Sequence, residues 1–104
     1  EKSEKLFLET VEKHPEHIPL RVLLGDFYVT GKQDEKALSV FREIIEINPD
    51  LLVHRVRLAS LLVSLNNQVE AESVLRDAII HDPDAIEPKL ILVDFFIRQN
   101  KKQP

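Results

Sequence analysis

The chain has no cysteine, no methionine and no tryptophan, only two glycines, and one tyrosine beside five phenylalanines in 104 residues. Without cysteine it can form neither a disulfide nor a thiolate metal site. Two isolated glycines, Gly25 and Gly31, cannot build a glycine-rich phosphate loop. No apolar run approaches the ~20 residues of a membrane-spanning helix. A basic excess is also missing: 14 Lys and Arg against 18 Asp and Glu leave a net charge of −4 with no basic stripe, which disfavours nucleic acid and anionic membranes as partners. Neither an initiator Met nor a signal-peptide pattern stands at Glu1, so the chain reads as a piece of a longer protein. Its composition agrees with a soluble domain of intracellular type, and its length suffices for one domain with a modest core.

What is present is a period. Pro15, Pro49 and Pro83 stand 34 residues apart, each opening a polar turn after an apolar segment, and a fixed period of this size marks a helical repeat array. A shift of 34 residues also superposes Leu24, Leu58 and Leu92, then Gly25, Ala59 and Val93, then Tyr28, Leu62 and Phe96. In the second half of each unit, Phe7, Phe41 and Leu75 form a column, as do Ser3, Ala37 and Ala71, and Thr10, Ile44 and Ala78.

Periodicity and punctuation place the helices. Leu20, Leu24, Phe27 and Tyr28 recur at helical spacing in a segment from Ile18 to Thr30, with Gly31 as a stop of the left-handed kind. Asp34 is the expected cap of a second helix that ends near Asn48 before Pro49. The pair repeats over roughly Leu51 to Leu65 and Val69 to His81, and single helices are expected at about Lys2 to Lys13 and Ala85 to Gln99. Pro19 and Pro88 fall in first turns, where a missing amide hydrogen costs nothing.

These columns resemble the tetratricopeptide repeat, a helix-turn-helix unit with a Leu-Gly pair, an aromatic three residues on, and later Ala, Phe and Pro. Leu24, Gly25, Tyr28, Ala37, Phe41 and Pro49 carry the resemblance best, and Leu58, Ala59, Ala71, Ala78 and Pro83 repeat it. Leu62 and Leu75 replace expected aromatics, and Arg21, Arg55 and Lys89 stand where the family has an early Trp. The resemblance implies an all-α, right-handed α-solenoid of antiparallel helix pairs with about six helices. It implies one domain over 1–104, with full repeats at 16–49 and 50–83. Residues 1–15 would be the second helix of a truncated repeat, and 84–104 the first helix of another. Leu92, Val93 and Phe96 would then lack a covering helix and favour self-association through the solenoid ends.

In such arrays the first helices line a concave groove that receives a segment of another protein. Val22 sits about 160 degrees and Val29 about 140 degrees around the helix from Leu24, off the core face. Their equivalents are Val56 and Val63, then Leu90 and Ile97, with the column Asp26, Ser60 and Asp94 among them and Arg57 beside. These ten residues are the expected partner-binding groove, shared with packing between neighbouring helices. The family's carboxylate clamp would need Lys, Asn, Asn, Lys and Arg, but the matching positions here hold Val22, Asp26, Arg57, Glu87 and Ile91. An apolar or weakly basic segment suits the groove better.

Catalysis has no foothold. His14 and His17 flank Pro15 and Glu16 as solvated turn residues, while His54 and His81 have no nucleophile or orienting carboxylate at a recognisable spacing. No cofactor and no metal are expected. The reading is a non-catalytic protein-interaction scaffold; the alternative is a structural or oligomerisation segment whose groove is filled by the parent chain or another protomer.

Overall fold

A computed structural model describes residues 1–102, and these form six helices and no strand. The helices are α1 (Lys2–Lys13), α2 (Ile18–Thr30), α3 (Asp34–Ile47), α4 (Leu52–Ser64), α5 (Gln68–His81) and α6 (Glu87–Lys102). They group into two compact units, Glu1–Pro49 with α1 to α3 and Asp50–Pro104 with α4 to α6.

Local chemistry sets the helix ends, with two departures from expectation. Gly31 ends α2 with φ −81, and the left-handed residue is the next one, Lys32, at φ 57. Its equivalent 34 residues on, Asn66, has φ 62. The amides of Lys32 and Gln33 return to the carbonyls of Val29 and Tyr28, and those of Asn66 and Asn67 to Val63 and Leu62. This is the paired closure of a Schellman turn, repeated in both units. Asp34 does not cap α3; Gln33 occupies the cap without a side-chain bond, and Asp34 lies with Glu35 in the first turn, where carboxylates complement the positive helix end. His17 is more than a solvated turn residue, because its Nδ1 accepts the Leu20 amide at 3.1 Å and so caps α2. Pro19 and Pro88 both sit in first turns, and Pro88 is fully buried.

In the first unit α2 packs on α3 with buried Leu24, Gly25 and Tyr28 facing a helix that buries Ala37, Leu38, Phe41 and Ile44. The helices meet at Gly25: a Cβ there would lie 2.7 Å from the Phe41 ring. α1 joins through the Phe7 and Phe27 rings, 5.3 Å apart, and through Glu4. The Glu4 carboxylate accepts from the Tyr28 hydroxyl at 2.8 Å and from Lys36 Nζ at 2.9 Å, linking all three helices. These donors hold the Glu4 carboxyl below its ordinary value, while burial and the Glu4 charge push the Tyr28 phenol up to about 12.

In the second unit Ala59, Leu75, Leu92 and Phe95 form one buried cluster drawn from α4, α5 and α6. Leu92 therefore does not await a covering helix, contrary to the sequence expectation: its side of α6 faces α5, which precedes it. Val93 and Phe96 do remain exposed, at 52% and 36%.

Arg21, Arg55 and Lys89 have an evident role. Arg21 pairs with Glu43 across α2 and α3, and Arg55, buried in α4, has its Nε 3.7 Å from Asp77 and its Nη2 3.1 Å from His81 Nε2 on α5. Arg21 Nε and Lys89 Nζ also donate to the carbonyls of Pro15 and Pro83, so each long side chain is anchored to the preceding turn.

Two predictions follow from this packing. Gly25→Ala should cost on the order of 1 to 3 kcal/mol by pushing into Phe41. Adding Phe41→Leu should recover part of the loss, since Ala with Leu is the combination the second unit holds at Ala59 and Leu75; urea denaturation of the three proteins checks this. The second concerns His54, which is buried in α4 with neither ring nitrogen hydrogen-bonded. Burial, and secondarily the Arg57 charge, lowers its pKa from the ordinary 6.5. The unfolded chain therefore binds this proton more readily, and stability contributed by neutral His54 is lost as pH falls below 6.5 through the folded value. His54→Phe should flatten the stability profile in that window, measured by denaturation between about pH 7 and pH 5.

Candidate functional site

The candidate groove residues occupy the first helix of each pair and the equivalent helix α6. Amphipathic geometry puts them off the buried stripe: Leu24 and Tyr28 in α2 and Leu58 and Leu62 in α4 point into their units, leaving the opposite flank to the candidates. Asp26, Ser60 and Asp94 are exposed in all three helices. Val22, Val56 and Val63 are half-buried, whereas Val29, Leu90 and Ile97 are exposed.

Within the second unit, four of the ten line one open cleft of about 440 Å³: Ser60 and Val63 from α4, Leu90 and Asp94 from α6. Ser64, Ile91, Phe95 and Arg98 complete its walls. Its floor is continuous with the core, because Val63 and Ile91 pack against the Ala59, Leu75, Leu92 and Phe95 cluster. Val56, Arg57 and Ile97 do not line this cleft. Val22, Asp26 and Val29 belong to α2 in the other unit.

The polar groups at the cleft are partly committed. Asp94 Oδ2 lies 3.0 Å from Arg98 Nε one turn along α6, and the Ser64 hydroxyl donates to the Leu61 carbonyl at 2.8 Å. The cleft therefore offers apolar walls from Val63, Leu90, Ile91 and Phe95, with a neutralised ion pair at its rim rather than a bare carboxylate. Such a surface takes an aliphatic or aromatic side chain more readily than a charged one. Sequence reasoning missed Arg98 and Phe95: the Asp94 and Arg98 spacing of four was legible as a helical ion pair, but Phe95 is visible only once α6 is seen wedged against α4 and α5. Among the described residues, no group of three or more His, Cys, Asp or Glu is placed to hold a metal, and no helix is long and apolar enough to cross a membrane.

The helix arrangement superposes on the solved structure of MamA MSR-1 C2, a tetratricopeptide-containing protein, with a TM-score of 0.70 at 20% identity over 95% of this chain. The fold is a tetratricopeptide-like α-solenoid. The chain covers 57% of that structure, so it spans a little over half its length, and at this identity the likeness concerns the fold alone. No protein-family model matches the chain, and no curated protein matches it in sequence.

Asp26 and Asp94 separate site from core. Asp26→Asn and Asp94→Asn should each shift stability by no more than about 0.5 kcal/mol, the range for exposed positions. Thermal melts of the two variants check this; a large loss at either would place that side chain in the packing.

Proposed function

We propose that this chain is a tetratricopeptide repeat segment that serves as a non-catalytic protein-interaction scaffold, with full repeats over 16–49 and 50–83. Its ligand is an apolar or weakly basic segment of another protein, and the positions assigned to it are Val22, Asp26 and Val29 of α2 in the first unit and, in the second, Val56, Arg57, Ser60 and Val63 of α4 with Leu90, Asp94 and Ile97 of α6. The observation that carries the reading is the convergence of Ser60, Val63, Leu90 and Asp94 on one cleft with apolar walls. Apolar contact supplies most of the affinity, because Asp94 is already shared with Arg98 and any basic preference is weak. The reading requires no cofactor and no metal.

Leu90 is the discriminating position, since it lines the cleft and is 61% exposed, whereas Val63 also supports the core. Leu90→Glu should leave the melting temperature unchanged and weaken binding of a captured partner at least about tenfold, the loss expected of an interface anchor. Capture from lysate on wild-type and variant chains, followed by titration of the retained protein, measures it. Equal retention by both would overturn the assignment of the cleft.

A further inference from the structure

The first unit has a groove of its own, and none of the ten candidate residues lines it. It has a volume of about 410 Å³ and is walled by α1 and α3, with α2, which packs on both, between them. Leu8 and Val11 of α1, Leu24 of α2 and Val40 of α3 give it an apolar lining. Leu8 is exposed there, and the packing of paired helices does not account for it. Its column holds Arg42 and Arg76, which are exposed on α3 and α5, so this position faces outward in every copy, including α3 with helices before and after it. An apolar side chain at this position answers to something other than pair packing.

Two ion pairs stand at the ends of this groove, and they are asymmetric in opposite senses. At one end Lys36 Nζ lies 2.9 Å from the Glu4 carboxylate, with 53% of the Lys36 side chain exposed against 21% for Glu4. At the other end Arg21 pairs with Glu43, and there the acid is the open member, 51% exposed against 13% for Arg21. The open charges are therefore an ammonium and a carboxylate, both on α3 and seven residues apart, about 10.5 Å along the helix axis. Ser39 and Val40 line the groove between them, about one turn from each.

We propose that this groove is a second docking surface, whose occupant is an amphipathic helix of another protein carrying an acidic residue, an aliphatic residue three or four positions on, and a basic residue seven positions after the first. The spacing selects a helix. Residues i and i+7 share one side of a helix about 10.5 Å apart with i+3 and i+4 between them, which matches Lys36, Val40 and Glu43. In an extended segment the side chains of one face stand about 7 or about 13 Å apart, and neither interval meets both charges. The acid opposes Lys36, the base opposes Glu43, and the aliphatic side chain enters between Leu8 and Val40. The acid-first order also suits the dipole of the docking helix, and it sets that helix parallel to α3. The groove and the α4 and α6 cleft share no residue, so either assignment can fail without the other.

A synthetic alanine-based helical peptide with Glu at i, Leu at i+3 and i+4 and Lys at i+7 tests it, titrated into the isotope-labelled 104-residue chain and followed by NMR. The Kd should lie below about 1 mM, with the largest amide shifts at Leu8, Ser39 and Val40 and none at Leu90 or Ile91. Peptides with Glu at both charged positions, or Lys at both, should bind about fivefold more weakly, because each loses one exposed pair and sets like charges together. Replacing the peptide's two leucines by Ser, or Leu8→Ser in the chain, should weaken binding about tenfold. Lys36→Gln should weaken the Glu and Lys peptide by up to about fivefold yet strengthen the peptide with Lys at both positions, a reversal that loss of folding cannot produce. Both side chains are exposed, and circular dichroism should show both variants folded. No binding at about 1 mM, equal binding of all the peptides, or shifts centred on Leu90 would overturn the proposal. Concentration-dependent sedimentation of the chain that Leu8→Ser abolishes would assign the groove to a second copy and overturn it as well.

Discussion

Everything in each unit depends on how closely the first helix of a pair can approach the second. In the first unit the approach is set by the absence of a side chain at Gly25, which lets the Phe41 ring lie against the α2 backbone. In the second unit the same column holds Ala59, and Leu75 takes the place of the ring. One side grows by a methyl group as the other loses part of a ring, so the interior stays close to filled. Helix spacing in turn decides which residues are core: Leu24 and Tyr28 are buried in α2 because α3 stands close enough to cover them, and Leu58 and Leu62 are buried in α4 for the same reason.

The second constraint is electrostatic. A buried guanidinium such as that of Arg55 is tolerable only with partners, among which are Asp77 and His81. Such a pair adds little net stability but penalises a slip of one helix along the other, because a displaced register would leave a buried charge uncompensated. The same logic applies to Glu4, which receives the Tyr28 hydroxyl and Lys36 at once and so fixes α1 against both α2 and α3.

The helices and their order were legible because period, proline and glycine mark them redundantly, and the six segments fall within a few residues of where the pattern puts them. Positions that depend on backbone geometry were not. The left-handed residue is Lys32 rather than Gly31, which takes the C-cap with φ −81, and nothing in a lysine announces that conformation. Likewise Asp34 was read as a cap from residue type, although Gln33 fills that position without a side-chain bond. Leu92 was read as uncovered because no helix follows α6 in the sequence, but it packs with Ala59, Leu75 and Phe95 against the helices that precede it, whereas Val93 and Phe96 stay exposed. Of the candidate groove, the flank was legible from angle alone. Its depth was not, because the cleft walls include Ile91 and Phe95, whose placement depends on how α6 seats against α4 and α5.

Exposed apolar surface on this chain is of two kinds, and the repeat itself distinguishes them. A column that is buried in α2 and α4 yet exposed in α6, such as Gly25, Ala59 and Val93, holds the residues at which the helices of a pair meet. A column that stays open or half-open in every copy, such as Val29, Val63 and Ile97 with Asp26, Ser60 and Asp94, keeps a side to solvent in each, even where Val63 also packs against the core. The first kind is shaped by the packing of paired helices. The second is free of that demand, so its chemistry can follow a ligand. A conservative apolar substitution on the first kind should therefore be judged by volume, and on the second by what it presents to solvent. Val93 and Leu90, one turn apart on the same helix, fall on opposite sides of that division.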